Sequence, residues 1–250
     1  MRSVRLEKDG PVRHIVLDAP KRRNALSAPM LDELAEAVAR VAGDEQARAL
    51  VIRAEGKAFC AGADLHGLFG DLNRPTSLIR DDLKRIYASF LGVADLSIPT
   101  IAAVHGVAVG AGMNIALACD IVIAGKNARF AISFADIGLH PGGGASWFLT
   151  RRMGADRALA AIIAAETIEA EDGLRHGLVT RLADDPVRAA TELAHQAAAR
   201  DPGLLRDAKR AVQIAETSEL PEVLEFESWA QAATVGRPDF AEYVERFTRR

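Results

Sequence analysis

The chain is poor in cysteine, in aromatic residues and in clustered charge. Its two cysteines, Cys60 and Cys119, cannot build a disulfide framework. Both sit in apolar, alanine-rich stretches, so they are expected to be buried, reduced thiols of a cytoplasmic protein. Aromatic residues make up 5% of the sequence, too few for a base-stacking surface. The net charge is −3 and basic residues form no long block, so neither nucleic acid nor an anionic membrane is an expected partner. The opening residues MRSVRLEKDG lack the apolar core of a signal peptide. No G-x-x-x-x-G-K-[ST] phosphate loop occurs, and no pair of His, Cys, Asp or Glu shows metal-ligand spacing, so no metal is expected.

What is present is ample apolar material. Hydrophobic residues make up 49% of 250 residues, enough for one large domain or two small ones. The stretch IPTIAAVHGVAVGAGMNIALACDIVIA (98–124) could pass for a membrane span. It contains Pro99, His105, three glycines, Asn114 and Asp120, and reads better as a buried strand–loop–helix–strand.

Along the chain, VRLEK and RHIVLD alternate as a hairpin turned at Asp9-Gly10-Pro11. Ser27 is placed to cap a helix with Met30, Leu31, Leu34, Val38 and Val41 on one face and Asp32 and Glu33 in its first turn. ARALVIRAE (47–55) and TIAAVHGVAV (100–109) are expected strands, with a helical stretch between them over 64–94. IVIA (121–124) and LVTRL (178–182) are further strands. Residues 133–165 read as mostly helical, broken at HPGGG (140–144), and everything beyond Pro186 reads as helix. The expected organisation is an α/β core over 1–185 and a helical C-terminal region over 186–250.

Two junctions share one design. AEGKAFCAGADL (54–65) and HGVAVGAGMN (105–114) each leave a strand, pass through glycine and alanine, and enter a helix. Small residues let a ligand approach the backbone, and helix N-termini offer unpaired N–H groups. Either each glycine set makes only a tight turn, or the two junctions face one pocket and converge on one oxygen. A dinucleotide fingerprint fails, because the bulky Ile115 stands where a third glycine is needed.

Together, APKRRNALS (19–27), AFCAGADL (58–65), the 98–124 stretch and the run from Ala128 to Gly154 resemble the crotonase, or enoyl-CoA hydratase/isomerase, superfamily over nearly the whole chain. The resemblance implies a spiral of β-β-α turns with C-terminal helices that make homotrimers or hexamers. It implies an acyl-CoA thioester as substrate, with coenzyme A part of that substrate and no separate cofactor. It places the backbone N–H groups of Ala63 and Ala111 as an oxyanion hole. It sets Ala61, Asp64, Leu65 and His66 along the coenzyme A, and Lys21, Arg22 and Arg23 near its phosphates. Two aimed donors stabilise a developing enolate oxygen by about 3 kcal/mol each.

The acid positions depart from the family pattern. The two glutamates of its hydratases correspond to Asn114 and Phe134, and the aspartate of an isomerase branch corresponds to Gly142. None of these side chains transfers a proton near neutral pH. The stretch around Asn114 and Gly142-Gly143-Gly144 looks closest to ring-forming and ring-opening isomerases of phenylacetate-type CoA pathways. His140 either transfers a proton or is a hydrogen-bonded structural histidine. Asn114 either binds a water or the acyl carbonyl, or satisfies nearby backbone groups. Phe134 is expected in the acyl-pocket wall, and Asp64 as a helix cap. The reading is an isomerase acting through an enolate. The alternatives are a hydratase with a different acid and base, a non-catalytic acyl-CoA binder, and a structural subunit.

Overall fold

The segments ALVIRA, TIAAV and IVIA carry apolar residues at odd and even positions alike. Such strands need a sheet covered on both faces. The computed structural model describes residues 2–70 and 73–248 and contains that sheet. The chain begins with β1 (Val4–Asp9), β2 (Val12–Leu17), α1 (Ala28–Ala42), β3 (Ala49–Ala54), α2 (Leu65–Phe69) and α3 (Thr76–Leu91). Next come β4 (Thr100–Val104), β5 (Val107–Val109), α4 (Ala111–Leu117), β6 (Ile121–Ala124) and β7 (Arg129–Ala131). Helices α5 (Ala145–Met153) and α6 (Ala155–Ile163), strand β8 (Thr167–Glu169), helix α7 (Ala170–Arg175) and strand β9 (Arg181–Leu182) follow. Four helices close the chain: α8 (Pro186–Ala198), α9 (Pro202–Ala215), α10 (Leu220–Val235) and α11 (Pro238–Thr248).

The large sheet has the order β1-β2-β3-β4-β6-β9, parallel except for the β1–β2 hairpin. Leu50, Ile52, Ala102 and Val104 point to one face, in the same core as the apolar stripe of α1. Ala49, Val51, Ile101 and Ala103 alternate to the other face, where α8 lays Ala190 and Ala194 against them. Each large aliphatic side chain buried this way contributes about 1.5–3 kcal/mol.

A second layer runs alongside. Leu26 bridges Ala63, Cys60 bridges Ala108, and β5 pairs with β7, which pairs with β8. Successive turns of the chain thus place one segment in the large sheet and the next in this layer before entering a helix. This mixed α/β arrangement matches the expected fold class.

Several local expectations are corrected. The stretch 100–109 is two strands in different sheets, because the chain turns at Gly106, whose φ is +58°. Strands β7 and β8, three residues each, leave no periodic signal and were not expected. LVTRL narrows to Arg181–Leu182. Helix α1 begins at Ala28, so Asp32 and Glu33 fall outside its first turn. Glu33 instead accepts the N–H groups of Ser3 and Val4 at 2.6 and 2.8 Å. Ser27 occupies the cap position without capping through its side chain, and its hydroxyl accepts from Arg22 at 2.9 Å.

Candidate active site

The first junction is held by a residue the sequence reading passed over. Asn24 is fully buried with φ +56°. Its Oδ1 accepts the Ala19 N–H at 2.7 Å, and its Nδ2 donates to the carbonyls of Glu55 and Ala58 at 2.9 Å each. That amide fixes segment 55–59 against segment 19–24. Further on, Leu26 N–H donates to Gly62 and Asp64 N–H donates to Leu26, at 2.8 and 3.0 Å. In a parallel bridge of this kind the central residue directs its own N–H the opposite way. Ala63 is that residue.

The second junction is stitched to the first. Cys60 N–H donates to Val107 at 3.1 Å and Val109 N–H donates to Cys60 at 2.9 Å. Gly110, at φ +50° and ψ −113°, takes a backbone conformation open to glycine and donates its N–H to Ala131 at 3.0 Å. Ala111 then opens α4, where the first N–H groups have no intrahelical acceptor. Gly112 lets α4 touch the first junction: a Cβ there would lie 2.5–2.8 Å from the Cys60 carbonyl oxygen, Cβ and Sγ. Among the described residues, no acceptor takes the N–H of Ala63 or of Ala111.

Both junctions line one cavity of about 330 Å³. Ala61, Gly62 and Ala63 come from the first, and Val109, Gly110 and Ala111 from the second. Helix α3 adds Leu83, Ile86 and Tyr87, and segment 133–143 adds Phe134, His140 and Gly142 among others. Among the described residues, the lining contains no carboxylate and no lysine or arginine. An anion formed here would meet backbone dipoles in mostly apolar surroundings, where each is worth more than in water.

The remaining expected residues fall in different places. Phe134 is in the wall, stacked toward the Gly110 turn. Leu65 lines the cavity. Asp64 caps α2 by accepting the Gly67 N–H at 3.2 Å and lies 3.7 Å from Arg22. Arg22, Arg23, Lys21 and His66 are exposed and outside the cavity lining. Residues 71 and 72, between α2 and α3, lie outside the described residues. None of the described residues of the C-terminal tail lines the cavity.

Of the two roles expected for Asn114, the structure shows the backbone one: the residue is 1% exposed and absent from the cavity lining. Its Nδ2 donates to the Gly142 carbonyl at 2.8 Å, while its Oδ1 is buried without a partner among the described residues. The side chain holds the 140–144 turn from behind.

His140 is exposed at the cavity wall. Its Nδ1 lies 2.7 Å from the Pro141 carbonyl. A carbonyl only accepts, so Nδ1 carries the proton and Nε2 of the neutral ring has the free lone pair. Tyr87 was missed altogether, since only the tertiary fold brings α3 to the 140–144 turn.

The thiols are inert. Cys60 lies behind the first junction, its Sγ donating to the Asn24 carbonyl at 3.0 Å, and burial pushes its pKa up to about 12. Burial raises Cys119 as well. Among the described residues, no group of three His, Cys, Asp or Glu is arranged to hold a metal ion, and no helix is long and apolar enough to cross a membrane.

Known proteins share this architecture. The family model for enoyl-CoA hydratase/isomerase matches residues 7–250. A Mycobacterium tuberculosis protein named "Probable enoyl-CoA hydratase" is 42% identical over 246 residues, covering 95% of this chain and 94% of its own. The 1,2-epoxyphenylacetyl-CoA isomerase of Escherichia coli is 34% identical over 236 residues, with 93% and 90% covered. A crystal structure described as an enoyl-CoA hydratase/isomerase from Mycobacterium abscessus superposes with a TM-score of 0.91 at 32% identity, covering 98% of this chain and 96% of that one. One from Thermobifida fusca, described as an enoyl-CoA hydratase in complex with CoA, gives 0.84 at 30% identity, with 97% and 95% covered. With the fold, the paired junctions and these matches together, the chain belongs to the enoyl-CoA hydratase/isomerase family, the crotonase superfamily.

Proposed function

We propose that this protein is an acyl-CoA isomerase that works through a thioester enolate. The observation that carries the reading is the pair of N–H groups, Ala63 and Ala111, unpartnered among the described residues, at one apolar cavity whose described wall has no carboxylate. The thioester oxygen binds between the two donors. When the adjacent carbon loses a proton, charge moves to that oxygen, and the donors stabilise it by about 3 kcal/mol each. His140 Nε2 is the base, oriented by its Nδ1 contact with Pro141. Against two-glutamate hydration, the name of the Mycobacterium tuberculosis relative notwithstanding, stand Asn114 and Phe134 at the two positions the family resemblance assigns to its glutamates.

Coenzyme A runs past Ala61 and the Asp64–His66 segment, and Arg22, Arg23 and Lys21 meet its phosphates. The relative crystallised with CoA supports the ligand class, and the Escherichia coli relative's name supports isomerisation. A homotrimer or hexamer is part of the proposal. It is supported by large exposed apolar side chains on the last helices, Trp229 at 72% and Phe247 at 71% exposed. Light scattering reads the oligomeric state directly.

The test is turnover on a panel of 2-enoyl-, 3-enoyl- and ring-containing acyl-CoA thioesters, with an active family member as control. Double-bond or ring isomerisation abolished by His140→Ala supports the proposal. Binding of acyl-CoA by calorimetry with no product on long incubation would replace it with a non-catalytic binder. Water addition without isomerisation would replace it with a hydratase.

A further inference from the structure

The enolate needs a proton back, and among the described residues the cavity wall has no carboxylate to return it. Two side-chain hydroxyls of the lining, those of Tyr87 and Ser133, have no hydrogen-bond partner among the described residues, and the 140–144 turn is shaped around the first. Tyr87 lies on α3, half-buried. A Cβ on Gly142 would collide with Tyr87 Oη and lie 3.1 Å from its Cζ. A Cβ on Gly143 would lie 3.4 Å from Tyr87 Cδ1. Gly142 has no positive φ, so the phenol, and not the backbone, accounts for the bare position. Asn114 holds the same Gly142 by its carbonyl, from a site one helical turn beyond Ala111 on α4. The phenol and the Ala111 junction are therefore linked through Gly142 and Asn114 at one cavity. His140, two residues away on the same turn, shares the wall.

Resting on the isomerase reading above, we infer that Tyr87 is the acid of this site, its phenolic proton occupying the place a side chain at position 142 would otherwise take. The step balances for a 3-enoyl thioester. His140 Nε2 takes a proton from C2, and the C2–H electron pair delocalises through the double bond and onto the thioester oxygen. C4 then takes the Tyr87 proton as the double bond settles between C2 and C3. The phenolate recovers its proton from the imidazolium, directly or through solvent, so nothing is oxidised or consumed.

The experiment uses the full chain and trans-3-hexenoyl-CoA in D2O. Isomerisation is followed by the conjugated product, and C2–H exchange by mass spectrometry of recovered substrate. Tyr87→Phe keeps the ring and removes the O–H. The expected result is a fall in isomerisation of about 100-fold or more, with C2–H exchange kept within about threefold and an unchanged melting curve. Gly142→Ala, which displaces the phenol while leaving it present, should give the same split.

Unchanged isomerisation in Tyr87→Phe overturns the assignment. So does a parallel loss of exchange and isomerisation, which would make the residue a positioning group. So does a wild type that exchanges C2–H without isomerising. A wild type that does neither overturns the isomerase reading itself and this assignment with it.

Discussion

The side-chain amide of Asn114 donates to the backbone carbonyl of Gly142 at 2.8 Å, and its own oxygen is buried with no donor among the described residues. The residue that stands where hydratases carry a glutamate is therefore committed to the wall of the site. Removing it leaves the Gly142 carbonyl without this donor. Asn114→Ala should lower stability by about 1–3 kcal/mol, read as a fall in denaturant midpoint. Asn114→Asp should cost more at neutral pH, because a carboxylate oxygen would face the carbonyl it now bonds. A gain of hydration activity in Asn114→Asp would contradict the placement.

Gly112 and Cys60 set the spacing of the two junctions. A Cβ at position 112 would lie 2.5 Å from the Cys60 carbonyl oxygen and 2.6 Å from its Cβ. Gly112→Ala should cost about 1–3 kcal/mol by overpacking and move Ala111 away from Ala63, lowering activity further. The double variant with Cys60→Ala should not recover, since the obstructing carbonyl and Cβ both remain. Full recovery would mean that only the sulfur sets the spacing.

The parts legible in the sequence are those with long signals. In the 98–124 stretch the helix and the closing strand were legible because glycines punctuate a continuous apolar run, while the split of 100–109 into two strands at Gly106 was not. The likeness of the two junctions was also legible, and the structure brings both to one cavity. Short strands were not, because three residues such as Arg129–Ala131 are defined by their partners and not by a period. Tyr87 was hidden for a related reason. On α3 it reads as one more apolar position, and its meaning comes from Gly142, which the fold alone places against it. Asn24 sat in plain view in KRRNALS, but the backbone partners of its side chain lie across the first junction and at Ala19.

Burial of Cys60 raises its pKa to about 12, and burial raises Cys119 too, so both are thiols at neutral pH. A protonated, enclosed thiol is a poor nucleophile. Native protein should take up no iodoacetamide at pH 7, and two labels should appear on unfolding, counted by mass spectrometry. Rapid labelling of the native protein at either position would show that the site region opens.

Arg13 is 1% exposed and donates through Nε to Asp44 at 2.8 Å and through Nη1 to the Gly10 carbonyl at 2.7 Å. Asp44 is thereby held ionised, its pKa lowered to about 2 by the Arg13 hydrogen bond first and by the Gln46 N–H next. A carboxylate depressed in the folded state stabilises fully above its unfolded value of about 3.9. That contribution is lost as pH falls through the folded value. Asp44→Asn cannot carry the charge and leaves a buried guanidinium without its anion, which is destabilising. Melting temperatures should therefore differ between wild type and Asp44→Asn at pH 7 and converge as pH approaches 2. Two melting curves that stay parallel over that whole range would show that the pair is not the source of this acid sensitivity.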